Sequence, residues 1–582
     1  MMQLDPQQQA AVETESRRAL VIAGAGSGKT RVLTERIAHL IENKKVSPFE
    51  IMAFSFTRKA AGEIRTRLET RIGSKAHRCY LGTMHGISLQ MVRKFGETIG
   101  LRPSNVTIYS EWEESFLLKE VAAELGVFKK SWKVPKKEID AMFAAYYERG
   151  ELPRENDPGK ALFAAFINRC RENNSTTYGE LLHAMWRLIP IMAKHLHIRH
   201  IMVDECQDID PMQWSIINHL CDMTGASLFA VGDADQSIYA FRGAVPEYLI
   251  EQQHEFDIYR LETNYRSVAE IVEASNRLIA HNRGRIEKTM VPVRKAPVLA
   301  PPCPQVHREA DSEKLVEIIR AWLLPEESMA VLSRNHALLL KLSSLLTEAG
   351  IQHNYVGRKT KLTGSEEFRR FHAFLKLIVN PYDNFSFMLI RELIGLTPTD
   401  YAEIRLRAAQ DGASHFEEWY KHGIPEGNFF LKVNQESPFV GALWELDEFL
   451  KDEKFVPARD FAFNADERSL GAEPALADYL AWLAVWDIQD EVEEETDTLH
   501  LMTVHAAKGL EFPTVIIAGC NDGIMPSKQA IAAGEIEEER RLFYVAMTRA
   551  RNQLILTIRP TITEGENGKV YENPVSRFVG EA

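Results

Sequence analysis

The stretch Val21–Thr30, VIAGAGSGKT, constrains this chain more tightly than any other part of it. A short apolar run passes into three glycines, a lysine and a threonine, the pattern of a buried strand that turns sharply into a helix with an anion at its N-terminus. Gly24, Gly26 and Gly28 let backbone N–H groups curl around a phosphate, with Ala23, Ala25 and Ser27 completing the loop. Lys29 adds a point charge for the β- and γ-phosphates of a nucleoside triphosphate, and Thr30 offers a hydroxyl to Mg²⁺. Ala23 stands where the strict pattern has glycine.

A strand-loop-helix unit of this kind needs a parallel sheet around it, and the chain supplies one. Ala19–Ala23, Ile51–Phe54, Ile201–Asp204 and Leu228–Val231 are short apolar runs ending at small or polar residues, as buried parallel strands do. Helix-period stretches such as Thr30–Ile41 and Arg58–Leu68 alternate with them. A second set of strands is expected at Ile258–Leu261, Ala330–Ser333, Gln352–Val356, Thr514–Ala518 and Gln553–Ile558. Two α/β cores follow, each interrupted by a long helix-rich insertion. At roughly 150 residues per domain, 582 residues accommodate these four parts. The segment Lys295–Pro304, KAPVLAPPCP, reads as a surface connector.

Charge is segregated along the chain. The net charge is −13, yet Ile51–Gly100 holds nine Lys/Arg against three acids, whereas Asp487–Asp497 holds seven acids and no base. A local basic patch, not the global sum, decides whether a polyanion binds. The acidic run reads as a solvated linker or helix end. With 45% hydrophobic and 26% charged residues, the composition is that of a globular protein and excludes a disordered chain. No apolar run reaches the roughly 18 residues of a membrane span, and MMQLDPQQQ lacks the pattern of a signal peptide. A cytoplasmic address and no membrane partner are therefore expected. The six cysteines are far apart in sequence, with no C-x-x-C spacing, and read as reduced core residues.

Two acids at a strand end are by themselves usually a solvated loop, but beside a phosphate loop they make a hydrolytic site. In VDECQD, Asp204 is placed to hold Mg²⁺ and Glu205 to take a proton from the attacking water. Gln236, in GDADQSIYAFRGA, is placed to sense the γ-phosphate through an uncharged amide. Charge develops on the transferred phosphoryl group, so an arginine arriving from a second lobe couples chemistry to closure, a device worth about 10³ to 10⁵ in rate. Arg266 in NYRS and Arg549 in RRLFYVAMTRA are the candidates. Arg549 follows a largely apolar stretch, where a wasted charge would be costly.

The ordered set LDPQQQAAV, AGAGSGKT, FSFTRKAAGEI, LGTMHG, VDECQD, GDADQSIYAFRGA, LETNYRS, LMTVHAAKGLEF and EEERRLFYVAMTRA resembles the UvrD/Rep/PcrA group of superfamily 1 DNA helicases. The resemblance implies an α/β fold of two RecA-like P-loop NTPase cores, each with an inserted mainly helical subdomain, and ATP with Mg²⁺ in the cleft between them. The first core would take residues 1–88 and 197–257, with its insertion at 89–196. The second would take 258–375 and 498–582, with its insertion at 376–497. Gln8 would read the adenine edge, Arg31 and Tyr265 would sandwich the ring, and Glu511 would meet the ribose. Asn264 and Ser267 match the pattern without receiving a role.

In this family single-stranded DNA lies across both cores. Stacking faces and positive charge suit a strand read without sequence preference, and the resemblance points to Phe56, Tyr239 and Phe241, with Arg242, Thr57, His85, Thr503 and His505 as polar or backbone contacts. Core packing is the competing reading for any single aromatic. Phe241 stands where the family commonly has tryptophan, and His336 in VLSRNH occupies a position usually held by asparagine. In the insertions, Val127–Lys137 sets five lysines beside Phe128 and Trp132, and Glu392–Ile404 resembles the family's duplex-touching turn without its preceding arginine-glycine. The second insertion reads as shorter than in larger relatives, and neither a nuclease domain nor a long basic tail is expected after PVSRFV.

The resemblance therefore implies an ATP-dependent, 3′-to-5′ single-stranded DNA translocase and helicase acting at single/double-strand junctions in repair, replication or recombination, with repair or replication proteins as partners. Two other readings stay open. One is a motor that strips proteins from DNA with little unwinding, and the other is an ATP-gated DNA-binding switch with negligible turnover.

Overall fold

In the computed structural model, the structure describes residues 3–102, 106–128, 131–132, 135–157, 159–240, 250–251, 253–296, 301, 303–324, 327–356, 362–465, 475–484, 499–560, 562–564, 570–572 and 574–582. Two six-stranded parallel sheets organise them. The first is built from β1 (Arg18–Ala23), β2 (Ile51–Ser55), β3 (Tyr80–Thr83), β4 (His200–Val203), β5 (Ser227–Gly232) and β6 (Asp257–Leu261), in the order β3-β2-β4-β5-β1-β6. The second takes β7 (Gln305–His307), β8 (Met329–Ser333), β9 (His353–Tyr355), β10 (Leu499–Thr503), β11 (Phe512–Ala518) and β12 (Ala550–Thr557), in the order β7-β12-β11-β8-β10-β9.

Period-two alternation sends successive side chains of each strand into different cores. In β1, Leu20 and Ile22 face a cluster shared with helices Met84–Phe95, Tyr178–His195 and Pro211–Thr224. Ala19, Val21 and Ala23 face the opposite cluster, under helices Lys29–Glu42 and Arg58–Ile72. The second sheet repeats this, with Leu332 and Ile517 on one side and Val331 and Ile516 on the other. Burial on both faces explains why these strands read as unbroken apolar runs.

Three readings of the sequence are corrected by this arrangement. The segment expected as Ile258–Leu261 in the second core pairs with β1 at the edge of the first sheet, Leu20 opposite Ile258. Its apolar pattern is the same in either sheet, so the sequence carries no signal for the choice. A boundary between 88 and 89 cuts helix Met84–Phe95, which packs on the first sheet. One between 375 and 376 cuts helix Glu366–Val379, whose Phe368, Phe371 and Phe374 belong wholly to the second helical lobe. β7 and β10 were not anticipated as strands. The acidic run Asp487–Asp497 and Lys129, Lys130 and Lys133 lie outside the described residues, as does half of the connector Lys295–Pro304. The six cysteines are unpaired, with Cys303 half-buried and the others buried.

The two helical lobes meet along a polar seam. The Tyr109 hydroxyl donates to Asp383 Oδ1 at 2.7 Å and accepts from Asn173 Nδ2 at 3.1 Å. Asn380 Nδ2 donates to Thr107 Oγ1 and to the carbonyls of Asn173 and Asn174. Lys376 Nζ lies 2.5 Å from Glu113 Oε1, with Glu113 buried and Lys376 half-buried. All of these contacts but the Asn173–Tyr109 bond join the first insertion to the second. Because Asp383 is fully buried, Tyr109→Phe leaves a carboxylate oxygen short of a donor and is expected to cost about 1–3 kcal/mol. Chemical denaturation followed by aromatic fluorescence checks this.

Candidate functional site: a phosphate loop at the seam of two cores

The loop between β1 and the helix Lys29–Glu42 owes its shape to two left-handed residues, Gly26 (φ 71°) and Gly28 (φ 85°). Ser27 closes it, its amide and hydroxyl both donating to the Gly24 carbonyl at 3.3 and 2.8 Å. Thr30 and Arg31 follow Lys29 in the first helical turn. Gln8 is buried beside the loop, its Nε2 donating to the Ser27 carbonyl at 3.0 Å, and it forms a capping box with Asp5. Asp5 in turn accepts from the Tyr265 hydroxyl at 2.5 Å. The structure thus gathers Gln8, Arg31 and Tyr265, the three expected base contacts, around one rim of the loop.

On the other rim stand the acids that follow β4. The Asp204 amide donates to the Phe54 carbonyl, and Asp204 Oδ1 accepts the Glu205 amide at 3.0 Å. Glu205 holds a left-handed backbone at φ 50°, a strained choice for this residue of the sort found at functional sites. Its Oε2 lies 3.2 Å from Lys29 Nζ. Burial and the neighbouring Glu205 charge push the Asp204 carboxyl above its ordinary range. Burial would raise Glu205 too, but Lys29 and Lys508 outweigh it and hold Glu205 low. A buried acid short of counter-charge beside a hydroxyl-bearing helix turn is a hard-oxygen donor set that fits Mg²⁺. Lys29 Nζ is itself buried, and among the described residues its one ion-pair partner is Glu205, without a well-aligned hydrogen bond.

The second core closes over this loop. Asn264 Nδ2 donates to the Ala25 carbonyl at 2.7 Å, and the Tyr265 amide donates to the Gly26 carbonyl at 2.9 Å. Asn264 Oδ1 also takes the amides of Arg266 and Ser267. Asn264, which sequence reasoning left without a role, is the pin between the halves. Arg266 Nε pairs with Glu511 Oε2 at 2.5 Å and its Nη1 donates to the Thr548 carbonyl. Glu511, expected at a ribose, is engaged by this guanidinium, which with the nearby Arg551 and Arg549 holds its carboxyl low despite burial.

Arg549 is 2% exposed. Its Nη2 donates to Gln236 Oε1 at 3.3 Å, its Nε to the Val545 carbonyl and its Nη1 to the Leu510 carbonyl. Burial, then the nearby Arg266 cation, draws its basicity down to about 9. Its hydrogen-bond acceptors are uncharged, and Glu205 and Glu511 act on it only from a distance, so an anion entering the seam would find a receptive cation.

Residues expected on the DNA track sit at or just beyond the C-terminal ends of strands, the end where open parallel sheets bind ligands. Phe56 and Thr57 follow β2, His85 follows β3, and Thr503 and His505 end and follow β10. Thr57 caps helix Arg58–Ile72 by accepting the Ala60 amide, and Thr503 accepts the Ala506 amide. The His85 ring lies face to face with Tyr178, centroids 3.6 Å apart, and burial lowers its pKa to about 3, so it is neutral. Tyr239 is a correction. At 2% exposure, its ring packs 4.9 Å from Phe56 and 4.8 Å from Lys508 Nζ, and its hydroxyl donates to the His505 carbonyl. It braces the seam and presents no open face. Phe241 and Arg242 lie outside the described residues.

Sequence reasoning also passed over Gln207 and Lys508. Gln207 donates to Glu205 and Asp208 and accepts the Asp233 amide, tying the two acidic loops together. Lys508 Nζ reaches Asp208 Oδ2 at 2.5 Å and the Gln236 carbonyl at 2.7 Å. Each sits inside a quoted motif, which was the available signal.

Two family models match the chain: the UvrD/Rep helicase N-terminal domain over residues 4–257, and the UvrD-like helicase C-terminal domain over residues 259–421 and 459–560. The chain belongs to the UvrD/Rep helicase family. Among curated relatives, the ATP-dependent DNA helicase PcrA of Bacillus subtilis is 29% identical over 99% of this chain and 85% of its own length. DNA helicase II of Escherichia coli is 29% identical over 99% of this chain and 87% of its own. The ATP-dependent DNA helicase UvrD1 of Mycobacterium tuberculosis is 29% identical over 99% and 85%. Among the described residues no helix is long and apolar enough to cross a membrane.

Within this UvrD/Rep-type architecture Gly26 is a tight steric point between the two halves. A Cβ there would meet Arg266 Cβ at 2.6 Å and Asn264 Nδ2 at 2.9 Å, at a positive φ besides. Gly26→Ala must wedge the cores apart by a fraction of an ångström. ATP turnover is expected to fall about 100-fold, the usual effect of an ångström-scale misplacement, as read by steady-state ATPase assay.

Proposed function

We propose that this chain is an ATP-dependent single-stranded DNA translocase and helicase, moving 3′ to 5′ and opening duplex at single/double-strand junctions. The observation that carries the reading is the contact between Arg549 Nη2, from the second core, and Gln236 Oε1, from the first, at 3.3 Å. It joins a glutamine that follows a phosphate-site strand to a guanidinium that must travel with the other half of the molecule. The curated relatives named as ATP-dependent DNA helicases support the same activity and nucleic acid. Roles in repair, replication or recombination, a cytoplasmic setting and contacts with proteins of those processes go with this reading.

The proposed chemistry follows from the residues. The loop amides and Lys29 hold the β- and γ-phosphates, while Gln8, Arg31 and Tyr265 hold the base. Thr30 and Asp204 would hold Mg²⁺, which offsets phosphate charge when bound. Glu205, kept ionised by Lys29 and Lys508, accepts the proton of the attacking water. Gln236 senses the terminal phosphate, and Arg266 and Arg549 stabilise the charge that develops on it. Losing that phosphate removes the anion that satisfies both arginines, so the cores separate and their hold on the strand shifts. Phe56, Thr57, His85, Phe241, Arg242, Thr503 and His505 are the proposed track, with Tyr239 supporting Phe56 from beneath.

The test compares ATP turnover without nucleic acid, with single-stranded DNA and with RNA, then strand displacement on 3′- and 5′-tailed duplexes. Strong DNA stimulation and preference for the 3′ tail are expected, both abolished in Lys29→Ala and by chelating Mg²⁺. Arg549→Ala is expected to lower kcat about 10³-fold or more. Turnover indifferent to DNA would sink the motor reading in favour of a switch. Brisk translocation with feeble displacement of naked duplex would favour the protein-stripping motor.

A further inference from the structure

Lys288 comes from the second core and is one of its most deeply buried cations, its side chain 2% exposed. It lies between two carboxylates of the first core. Lys288 Nζ is 2.5 Å from Asp233 Oδ1 and 2.5 Å from Asp235 Oδ2. Asp233 is 0% exposed and Asp235 1%. Arg285, three residues earlier, forks onto Asp235 at 3.1 and 2.7 Å and donates to the Lys288 carbonyl. Two acids and two bases balance, so no net charge is left in the interior.

The segment bearing Lys288 is braced to its own core. Glu537 accepts the Arg283 and Gly284 amides. Asn276 exchanges side-chain hydrogen bonds with both backbone groups of Met290. Lys288 therefore reports where the second core is.

What it reports to is the sensor glutamine. Asp233 Oδ2 accepts Gln236 Nε2 at 2.6 Å. With its amide N–H committed there, Gln236 turns its Oε1 toward Arg549. We propose that Lys288 is a positioning residue for ATP hydrolysis: by fixing Asp233 from across the seam, it sets the orientation of Gln236 and couples that orientation to core closure. Arg285 does not touch Asp233, so it contributes cohesion without orienting the amide. Without Lys288, Asp233 loses its ion-pair partner and keeps only the more distant charge of Lys29, which favours a proton on Asp233 or a swing toward Arg285. Either event weakens or displaces the anchor of Gln236 Nε2.

This rests on the proposed role of Gln236 in hydrolysis, and the experiment separates the two. Lys288→Met, Lys288→Arg, Arg285→Gln and Lys29→Ala are compared in the full chain by DNA-stimulated ATPase, single-stranded DNA binding without nucleotide, and thermal melting. Lys288→Met is expected to lower kcat about 10- to 100-fold, with KM for ATP and DNA binding changed less than about 3-fold. Lys288→Arg, which keeps the charge, recovers most of the loss. Arg285→Gln lowers the melting temperature but leaves kcat within about 3-fold. Added to Asp233→Asn, Lys288→Met costs little more, because both act through one contact. Should Lys288→Met turn over ATP at the wild-type rate, or Arg285→Gln lose as much kcat, the positioning role is overturned and the cluster is cohesive only. If Lys288→Met does not fold, full activity in Asp233→Asn overturns it and a kcat loss confined to turnover supports it. Undiminished turnover in Lys29→Ala would instead overturn the site reading, and this inference with it.

Discussion

A buried guanidinium whose hydrogen-bond acceptors are all uncharged is the constraint from which the rest of this structure follows. Arg549 is enclosed by the Val545 and Leu510 carbonyls, the Thr548 hydroxyl and the Gln236 amide oxygen. Dipoles of this kind satisfy its N–H groups without neutralising it. Such a site is at its most favourable when an anion is present and the cores are together. Two sheets are needed because one must carry the phosphate loop and the other the cation. They must also be separable, because a permanently satisfied arginine would do no work.

The same logic runs through the other seam contacts. Asn264 pins the second core to the carbonyl of Ala25, Lys508 reaches Asp208 and the Gln236 carbonyl, and Lys288 reaches Asp233 and Asp235. All are polar, and all cross between halves. An apolar seam of the same area would hold the halves together in every state of the cycle. Hydrogen bonds and ion pairs instead depend on angle and distance, and a small rotation forfeits several together. The helical lobes differ: beside the polar contacts of Tyr109 with Asp383 and Glu113 with Lys376, Phe385 of the second lobe is buried against Tyr109, Trp112 and Phe116 of the first.

Much of this was legible in the residues. VIAGAGSGKT contains its own geometry, since Gly26 and Gly28 occupy conformations other residues avoid, and four strands of the first core, β1, β2, β4 and β5, announce themselves because both faces are buried, whereas the partly exposed β3 gave no such signal. The acids at 204 and 205 and the arginines at 266 and 549 were assigned from chemistry and motif; Glu205 pairs with Lys29 of the loop, Arg266 abuts Gly26, and Arg549 reaches Gln236. What stayed hidden depends on partners distant in sequence. Asp257–Leu261 carries a pattern that either sheet would accept. Tyr239 looks like a stacking platform until its Phe56 and Lys508 neighbours are known. Lys288 and Arg285 look like solvated charges until Asp233 and Asp235, some fifty residues earlier, are seen beneath them. Helix ends at Met84–Phe95 and Glu366–Val379 were misjudged as lobe boundaries because periodicity tells where a helix is and not which core it packs on.

The account's central claim is that guanidinium groups of one half complete the terminal-phosphate site of the other. A crystal structure of the chain with Mg²⁺ and a non-hydrolysable ATP analogue measures this directly. The γ-phosphate is predicted to lie within hydrogen-bond distance of Lys29 on one side and of Arg266 and Arg549 on the other, with Arg266 released from Glu511. A γ-phosphate held by Lys29 alone, while both arginines keep their present partners, would contradict it.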